Sequence, residues 1–141
     1  MSVSPVMTDS PLRILICDDD ENLATAVESI LEADGRFVCI GRATSGAQAV
    51  ELVEAEAPDI VLMDIGMPGL NGIDATRAIR EKDAGQHVVI YTGSDEYDDV
   101  ARADEAGASG YLHKSALTSP DLADALLVLH TNYESRVPDP E

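Results

Sequence analysis

The sequence of 141 residues is poor in cysteine and in basic residues. Its two cysteines, Cys17 and Cys39, lie inside apolar stretches and form no Cys-x-x-Cys pair, which argues against a disulfide framework and against a zinc site. Only 9 Lys and Arg residues stand against 27 Asp and Glu residues, giving a net charge of −18. Such an acidic chain repels nucleic acid and anionic membranes, and favours cations and basic partner surfaces.

Signals for export or membrane insertion are also lacking in the sequence. The first residues have neither the basic nor the apolar region of a signal peptide, and no apolar run approaches the roughly 18 residues that span a bilayer. We therefore expect a cytoplasmic protein with no membrane partner and no direct contact to nucleic acid. The length and composition fit one folded domain over residues 12–133, with a disordered leader at 1–11 and a disordered tail at 134–141.

Short apolar runs alternate with helical patterns along the whole domain. The runs read "RILIC", "FVCIGRA", "DIVLM", "HVVIY" and "SGYLH", and each is followed by a segment with helical spacing of its apolar residues. Strands that are apolar almost throughout indicate a parallel sheet buried on both faces. Five strands, five helices and right-handed crossovers predict a doubly wound α/β fold.

Polar residues follow four of the five predicted strands. In a doubly wound sheet, ligands bind beyond the carboxyl ends of the strands, so these residues should meet at one edge. They are Asp18, Asp19 and Asp20 after the first strand, Asp64 after the third, Thr92 after the fourth and Lys114 after the fifth. His87 and His113 flank strands with no Cys or His partner nearby in sequence, and we expect both to be solvated.

The carboxylates at this edge predict a cation site. Two carboxylates ~4 Å apart repel each other by about 4 kcal/mol at an effective dielectric of 20, and a bound cation relieves that repulsion. Oxygen ligands suit Mg²⁺ or Mn²⁺. A cation beside Asp64 would let its carboxylate attack phosphorus, while Thr92 and Lys114 could satisfy other phosphoryl oxygens. A plainer interpretation is that the aspartates after the first strand only cap a helix.

Four motifs carry a resemblance to a known family. "ILICDDDEN", "DIVLMDIGMPGLNG", "VVIYTGS" and "GASGYLHKS" occur in this order on the alternating pattern. Together they resemble the receiver domain of bacterial two-component response regulators, from about Arg13 to His130. The resemblance makes residues 12–133 a receiver domain, and it implies a flavodoxin-like sheet of five parallel strands in the order 2-1-3-4-5.

The resemblance implies a phosphoacceptor and a set of metal ligands. Asp64 would accept a phosphoryl group from a histidine kinase, a phosphotransfer protein or a small phosphodonor. Asp18 and Asp19 would hold Mg²⁺ together with Asp64 and the backbone carbonyl of Gly66, and Mn²⁺ could replace Mg²⁺. Asp20 would lie outside this ligand set, and we expect it to open the first helix.

The resemblance also implies a switch. Thr92 would be the switch hydroxyl, Lys114 the phosphate-binding lysine, and Tyr111 the aromatic that changes rotamer, although Tyr111 reads equally well as an ordinary strand residue. Phosphorylation would repack the surface formed by the fourth helix, the fifth strand and the fifth helix. A downstream protein or a second copy of the chain would bind the repacked surface.

The sequence departs from the family pattern at two places. Ser115 follows Lys114 where the family commonly has proline, often after a cis bond, so the following loop is expected to differ. Gly66 and Ser94 are small at positions two residues after Asp64 and Thr92. Small residues leave water an open approach, and we expect an acyl phosphate of no unusual persistence.

Several functions remain open at this point. The leading hypothesis is a stand-alone phosphorylation switch with no DNA-binding domain, which is not an enzyme with multiple turnover on an external substrate. Alternatives are a receiver fragment of a DNA-binding response regulator and a receiver-like domain that is never phosphorylated. A haloacid-dehalogenase-like phosphatase would use Asp18 and Asp20 as its Asp-x-Asp pair, but it requires Gly-Thr where Glu21 and Asn22 follow.

Overall fold

The computed structural model describes residues 10–67, 69–93 and 97–136. Its strands are β1 (Leu12–Cys17), β2 (Phe37–Ala43), β3 (Ile60–Asp64), β4 (His87–Thr92) and β5 (Gly110–His113). Its α-helices are α1 (Glu21–Asp34), α2 (Gly46–Glu56), α3 (Gly72–Lys82), α4 (Tyr97–Ala106) and α5 (Leu122–Arg136). A short 3₁₀ helix, Lys114–Thr118, lies between β5 and α5.

The five strands form one parallel sheet in the order β2-β1-β3-β4-β5, which confirms the predicted fold. All residues of β3 and β4 are buried, as expected for strands that are covered on both faces. The chain passes from β2 across β1 to β3. The direction in which strands are added to the sheet therefore reverses between β1 and β3. These two strands are paired neighbours, so their carboxyl ends lie side by side.

A separate apolar core covers each face of the sheet. One core packs the buried faces of α2, α3 and α4 against Leu15, Val61, Met63 and Ile90 of the sheet. The other packs α1, α5 and Leu117 of the 3₁₀ helix against Ile16, Leu62, Val89 and Tyr91. The alternation of neighbouring strand residues between the two cores follows from the side-chain period of two in a strand.

Side chains at the starts of α1 and α2 accept hydrogen bonds from backbone N–H groups that have no partner within the helix. Asp20 caps α1 and accepts the N–H groups of Asn22 and Leu23, so the prediction that it opens this helix is confirmed. Ser45 caps α2 and accepts the N–H of Gln48. The Gln48 side chain reaches back to the N–H of Thr44 at 2.8 Å, one residue earlier than in a standard capping box.

Two expectations need correction. Helix α5 continues to Arg136, beyond the expected domain end at residue 133. Pro138 disfavours a helical conformation for the residue before it, so it does not prevent α5 from continuing to Arg136. The prediction of a solvated His87 is wrong: it is 2% exposed, and its Nδ1 lies 2.8 Å from Nδ1 of His130 on α5. Residues 1–9 of the expected leader and 137–141 of the expected tail lie outside the described residues.

None of the helices in the described part of the chain combines the length and apolar composition that crossing a membrane requires.

Candidate functional site

Three aspartates that are distant in sequence come together at the carboxyl edge of the sheet. One carboxylate oxygen from each of Asp18, Asp19 and Asp64 lies within 4.8 Å of the others. Asp18 is 2% exposed and Asp64 is 9% exposed, whereas Asp19 faces solvent. Two buried carboxylates beside a third form a donor set made only of oxygen, which fits Mg²⁺ or Mn²⁺.

The sheet itself fixes these positions. Asp18 follows the last residue of β1, and its N–H donates to the carbonyl of Ala43 at the end of β2. Asp64 is the last residue of β3, which pairs directly with β1. Because both strands are buried and in register, their ends cannot shift relative to each other without breaking the ladder. The sheet therefore fixes Asp18 and Asp64, whereas Asp19 lies in the exposed connection between β1 and α1.

The environment of Asp64 disfavours its charged form. Burial is the main cause that raises the pKa of Asp64 to about 6, and the nearby charge of Asp18 adds to it. The N–H of Gly66, which donates to Asp64 Oδ1 at 3.1 Å, and the positive charge of Lys114 act in the opposite direction. A cation at the cluster would favour the ionised carboxylate, which is the form able to attack phosphorus.

Thr92 and Lys114 end neighbouring strands at the same edge. Thr92 is the last residue of β4, is 5% exposed and pairs in register with His113. Lys114 directly follows His113 and begins the 3₁₀ helix. A Cβ on Gly93, the residue after Thr92, would lie 3.8 Å from Cδ of Lys114, so the lysine side chain passes the end of β4. Its positive charge lowers the pKa of Asp64. The structure thus brings together the acidic cluster, the hydroxyl and the lysine, whose individual roles stay predictions.

Tyr111 lies two residues before the end of β5. It pairs with Ile90, is half-buried and packs against the core beneath α2, α3 and α4. This position is compatible with the predicted rotamer change and with an ordinary packing role. Its assignment as a switch residue stays a prediction.

The loop after Lys114 uses a hydrogen bond that proline could not make. The Lys114–Ser115 peptide bond is trans. The N–H of Ser115 donates to Nδ1 of His113 at 3.1 Å, and the Ser115 hydroxyl lies 2.9 Å from the same nitrogen. His113 thereby caps the 3₁₀ helix that begins with Lys114, which explains how the chain holds this loop with serine in place of proline.

Gly66 lies in the turn after Asp64 and is exposed. A Cβ at this position would lie 3.9 Å from Asp64 Oδ1, so a larger residue would meet the Asp64 carboxylate. The ligand role of the Gly66 carbonyl stays a prediction. Ser94, the second small residue near the site, lies outside the described residues.

Sequence reasoning missed Tyr91 as a site residue. The sequence pattern places it in the apolar strand "HVVIY", yet its hydroxyl donates to Asp18 Oδ2 at 2.5 Å. The available signal was a phenol at the end of a buried strand, because a buried hydroxyl requires a polar partner. The identity of that partner depends on the packing of the sheet.

A second group of potential ligands, formed by Glu28, Glu32 and Cys39, lies on α1 and β2. Arg42 forms a short ion pair with Glu28, and Glu32 accepts the N–H of Cys39. Burial and the two glutamates raise the pKa of the Cys39 thiol to about 12, so it is protonated at neutral pH.

Comparison with known proteins identifies the family. The family model of the response regulator receiver domain matches residues 14–126 of this chain. The chain belongs to the response regulator receiver domain family. These receiver domains act in signal transduction by two-component systems, bind Mg²⁺ at an acidic pocket, and interact with histidine kinases and downstream effectors. The match gives no support to the phosphatase alternative.

Curated relatives of this receiver domain include regulators of two lengths. The nitrate/nitrite response regulator protein NarL of Escherichia coli is 36% identical over 116 residues, which cover 82% of this chain and 53% of NarL. The chemotaxis protein CheY of Halobacterium salinarum is 37% identical over 114 residues, which cover 81% of this chain and 92% of CheY. The chain thus spans about half the length of NarL and nearly all of CheY.

Solved structures agree with the fold of this receiver domain. The signal receiver domain of a response regulator NarL from Mycobacterium tuberculosis has a TM-score of 0.80 at 30% identity, with 86% of this chain and 98% of that chain covered. A two-component response regulator of the LuxR family from Aurantimonas has a TM-score of 0.81 at 32% identity, with 87% of each chain covered.

Proposed function

We propose that this receiver domain accepts a phosphoryl group on Asp64 in a Mg²⁺-dependent step. The donor is a histidine kinase, a phosphotransfer protein or a small phosphodonor. The single observation that carries the proposal is the convergence of the Asp18, Asp19 and Asp64 carboxylates within 4.8 Å, two of them buried. Asp18 and Asp19 would hold the cation together with Asp64 and the carbonyl of Gly66, and Mn²⁺ would substitute for Mg²⁺.

Each residue of the site has its own role in the phosphoryl transfer. An ionised oxygen of Asp64 attacks phosphorus, the bond from phosphorus to the donor breaks, and its electron pair leaves with the donor group. The Lys114 ammonium and the Thr92 hydroxyl bind oxygens of the transferred group. When bound, the cation neutralises charge on the phosphoryl oxygens. The domain catalyses its own phosphorylation and is not a multiple-turnover enzyme on an external substrate.

Phosphorylation then changes a partner surface. The new group adds charge and acceptor oxygens at the carboxyl edge, and Thr92 moves to donate to it. Tyr111 fills the space that Thr92 leaves, which repacks the surface of α4, β5 and α5. A downstream protein or a second copy of the chain binds the repacked surface. This output needs no direct contact with nucleic acid or membrane.

Incubation with Mg²⁺ and acetyl phosphate, followed by intact mass measurement, tests the proposal. We expect the wild type to gain the mass of one phosphoryl group and Asp64→Ala to gain none. Omission of the divalent cation with EDTA should prevent the gain. No adduct on the wild type, or an equal adduct on Asp64→Ala, would refute the assignment.

A second candidate is the receiver part of a longer transcriptional regulator. The observation that favours it is the coverage of only 53% of NarL and 54% of the transcriptional regulatory protein LiaR of Bacillus subtilis. The match to nearly all of CheY favours the stand-alone organisation, which we retain as the first proposal. The genomic reading frame around this sequence decides between the two.

A further inference from the structure

A buried tyrosine contacts the acidic cluster from the neighbouring strand. Tyr91, the penultimate residue of β4, is 1% exposed, and its hydroxyl donates to Oδ2 of Asp18 at 2.5 Å. A phenol is protonated at physiological pH, so the Tyr91 hydroxyl acts as a hydrogen-bond donor to the carboxylate.

The Asp18 carboxylate is held at both oxygens. Oδ2 accepts from Tyr91, and Oδ1 accepts the N–H of Asp20 at 2.8 Å. Rotation of the carboxylate would break one of these hydrogen bonds. Because Asp18 is 2% exposed, water could hardly replace the lost partner. The two donors thus select one orientation of Asp18, and each oxygen keeps a further lone pair for a ligand.

Tyr91 also contacts the strand that carries the phosphoacceptor. It pairs in register with Asp64, and its carbonyl accepts the N–H of Ile65 at 3.0 Å. Tyr91 therefore contacts Asp18 through its side chain. Through its backbone it contacts the first residue of the turn after Asp64. Replacement of Tyr91 by phenylalanine removes the contact to Asp18 and a longer contact of the hydroxyl to the Cys17 carbonyl at 3.4 Å. It keeps the backbone pairing, which does not depend on the hydroxyl.

We propose that Tyr91 is a positioning residue for the cation site, and that its hydroxyl holds Asp18 in the orientation in which Asp18, Asp19 and Asp64 bind a divalent cation. This inference rests on the proposed function. Groups that hydrogen-bond to metal-ligating carboxylates fix their orientation, and their loss commonly weakens metal binding. A merely structural hydrogen bond would instead affect folding stability and leave metal affinity unchanged.

Titration with Mn²⁺, followed by the electron paramagnetic resonance signal of the free ion, tests the inference. We expect Tyr91→Phe to bind Mn²⁺ about tenfold more weakly than the wild type. Competition with Mg²⁺ should give a similar ratio. The control is Thr44→Val, which removes a hydroxyl that hydrogen-bonds to Gln48 Oε1 at 3.2 Å in the loop after β2, and it should keep the wild-type affinity. An equal affinity of folded Tyr91→Phe and wild type would overturn the inference.

A measurement on the wild type covers the case in which Tyr91→Phe does not fold. The ¹³Cζ resonance of a tyrosine reports the hydrogen bond of its hydroxyl. Because a cation draws charge from Asp18, saturating Mg²⁺ should shift the Tyr91 resonance, assigned by exclusion with phenylalanine variants of the other three tyrosines. A resonance that does not move would overturn the inference. Failure of the proposed function would give a different result from failure of the inference about Tyr91. The wild type itself would then neither bind the cation nor gain a phosphoryl group.

Discussion

Gly72, the first residue of α3, lies against the backbone of Asp64. A Cβ on Gly72 would come 2.2 Å from the Asp64 carbonyl oxygen and 2.8 Å from Cα of Ile65. Both atoms belong to the backbone, which cannot move aside as a flexible side chain could. The N–H of Gly72 also donates to the carbonyl of Ile65 at 3.1 Å, so α3 begins in direct contact with the turn that follows Asp64.

Gly72→Ala should therefore damage both the fold and the cation site. We expect a loss of unfolding free energy of about 1 to 3 kcal/mol from overpacking, measured by urea denaturation. Weaker Mn²⁺ binding should accompany this loss, because Asp64 must shift to admit the methyl group. The control is Gly85→Ala, whose Cβ would lie 3.5 Å from the Asp83 side chain, with no closer atom among the described residues beyond its chain neighbours. Equal stability of Gly72→Ala and wild type would contradict the observed contact.

The raised pKa of Asp64 predicts a pH-dependent effect of Asp64→Asn. Folding raises this pKa from 3.8 to about 6, so between these values the folded state binds more protons than the unfolded chain. The stability that comes from protonated Asp64 is complete below pH 3.8 and is lost as pH rises through 6. In EDTA at neutral pH and above, Asp64→Asn should therefore be more stable than the wild type by about 1 to 2 kcal/mol.

Urea denaturation in EDTA at a series of pH values measures this difference. The advantage of Asp64→Asn should shrink as pH falls below 6, where the wild type becomes protonated as well. Glu105→Gln, which removes an exposed carboxyl on α4, should show no such trend. A constant difference across the pH range would show that the charge of Asp64 is not the cause.

The hydrogen bond between Ser115 and His113 predicts a role for His113 in placing Lys114. His113→Ala should lower the unfolding free energy by about 0.5 to 1.5 kcal/mol, as the loss of a capping hydrogen bond does. Phosphorylation by acetyl phosphate should also be slower, because the turn that begins with Lys114 loses its cap. Ser115→Ala keeps the backbone N–H and should have the smaller effect in both assays. A stronger effect of Ser115→Ala would contradict this account.

The small residue at position 66 predicts ordinary hydrolysis of the acyl phosphate. Gly66 is exposed, and among the described residues beyond its two chain neighbours a Cβ there would have only Asp64 Oδ1 within 4 Å. We expect Gly66→Leu to lose its phosphoryl group several-fold more slowly than the wild type, measured by intact mass after removal of the donor. Gly85→Leu, the same change far from the site, should behave like the wild type. A wild-type lifetime of many hours in Mg²⁺ buffer would contradict the prediction.

Much of the fold could be predicted from local sequence patterns. Apolar runs such as "DIVLM" and the helical spacing that follows them indicate a parallel sheet, because both signals depend only on residues that are near in the chain. The start of α1 at Asp20 was predictable for the same reason. The burial of His87 was not, because it depends on the contact of β4 with α5, whose His130 lies 43 residues away.

The sequence by itself determined which groups reach the carboxyl edge of the sheet, since strand ends and parallel pairing place Asp18, Asp64, Thr92 and Lys114 there. Only the tertiary structure decided how those groups are held. Tyr91 and Asp18 are 73 residues apart, and their contact depends on strand register and side-chain packing, which no local pattern encodes. The pKa of Asp64 likewise depends on burial, which arises only when both faces of the sheet are covered.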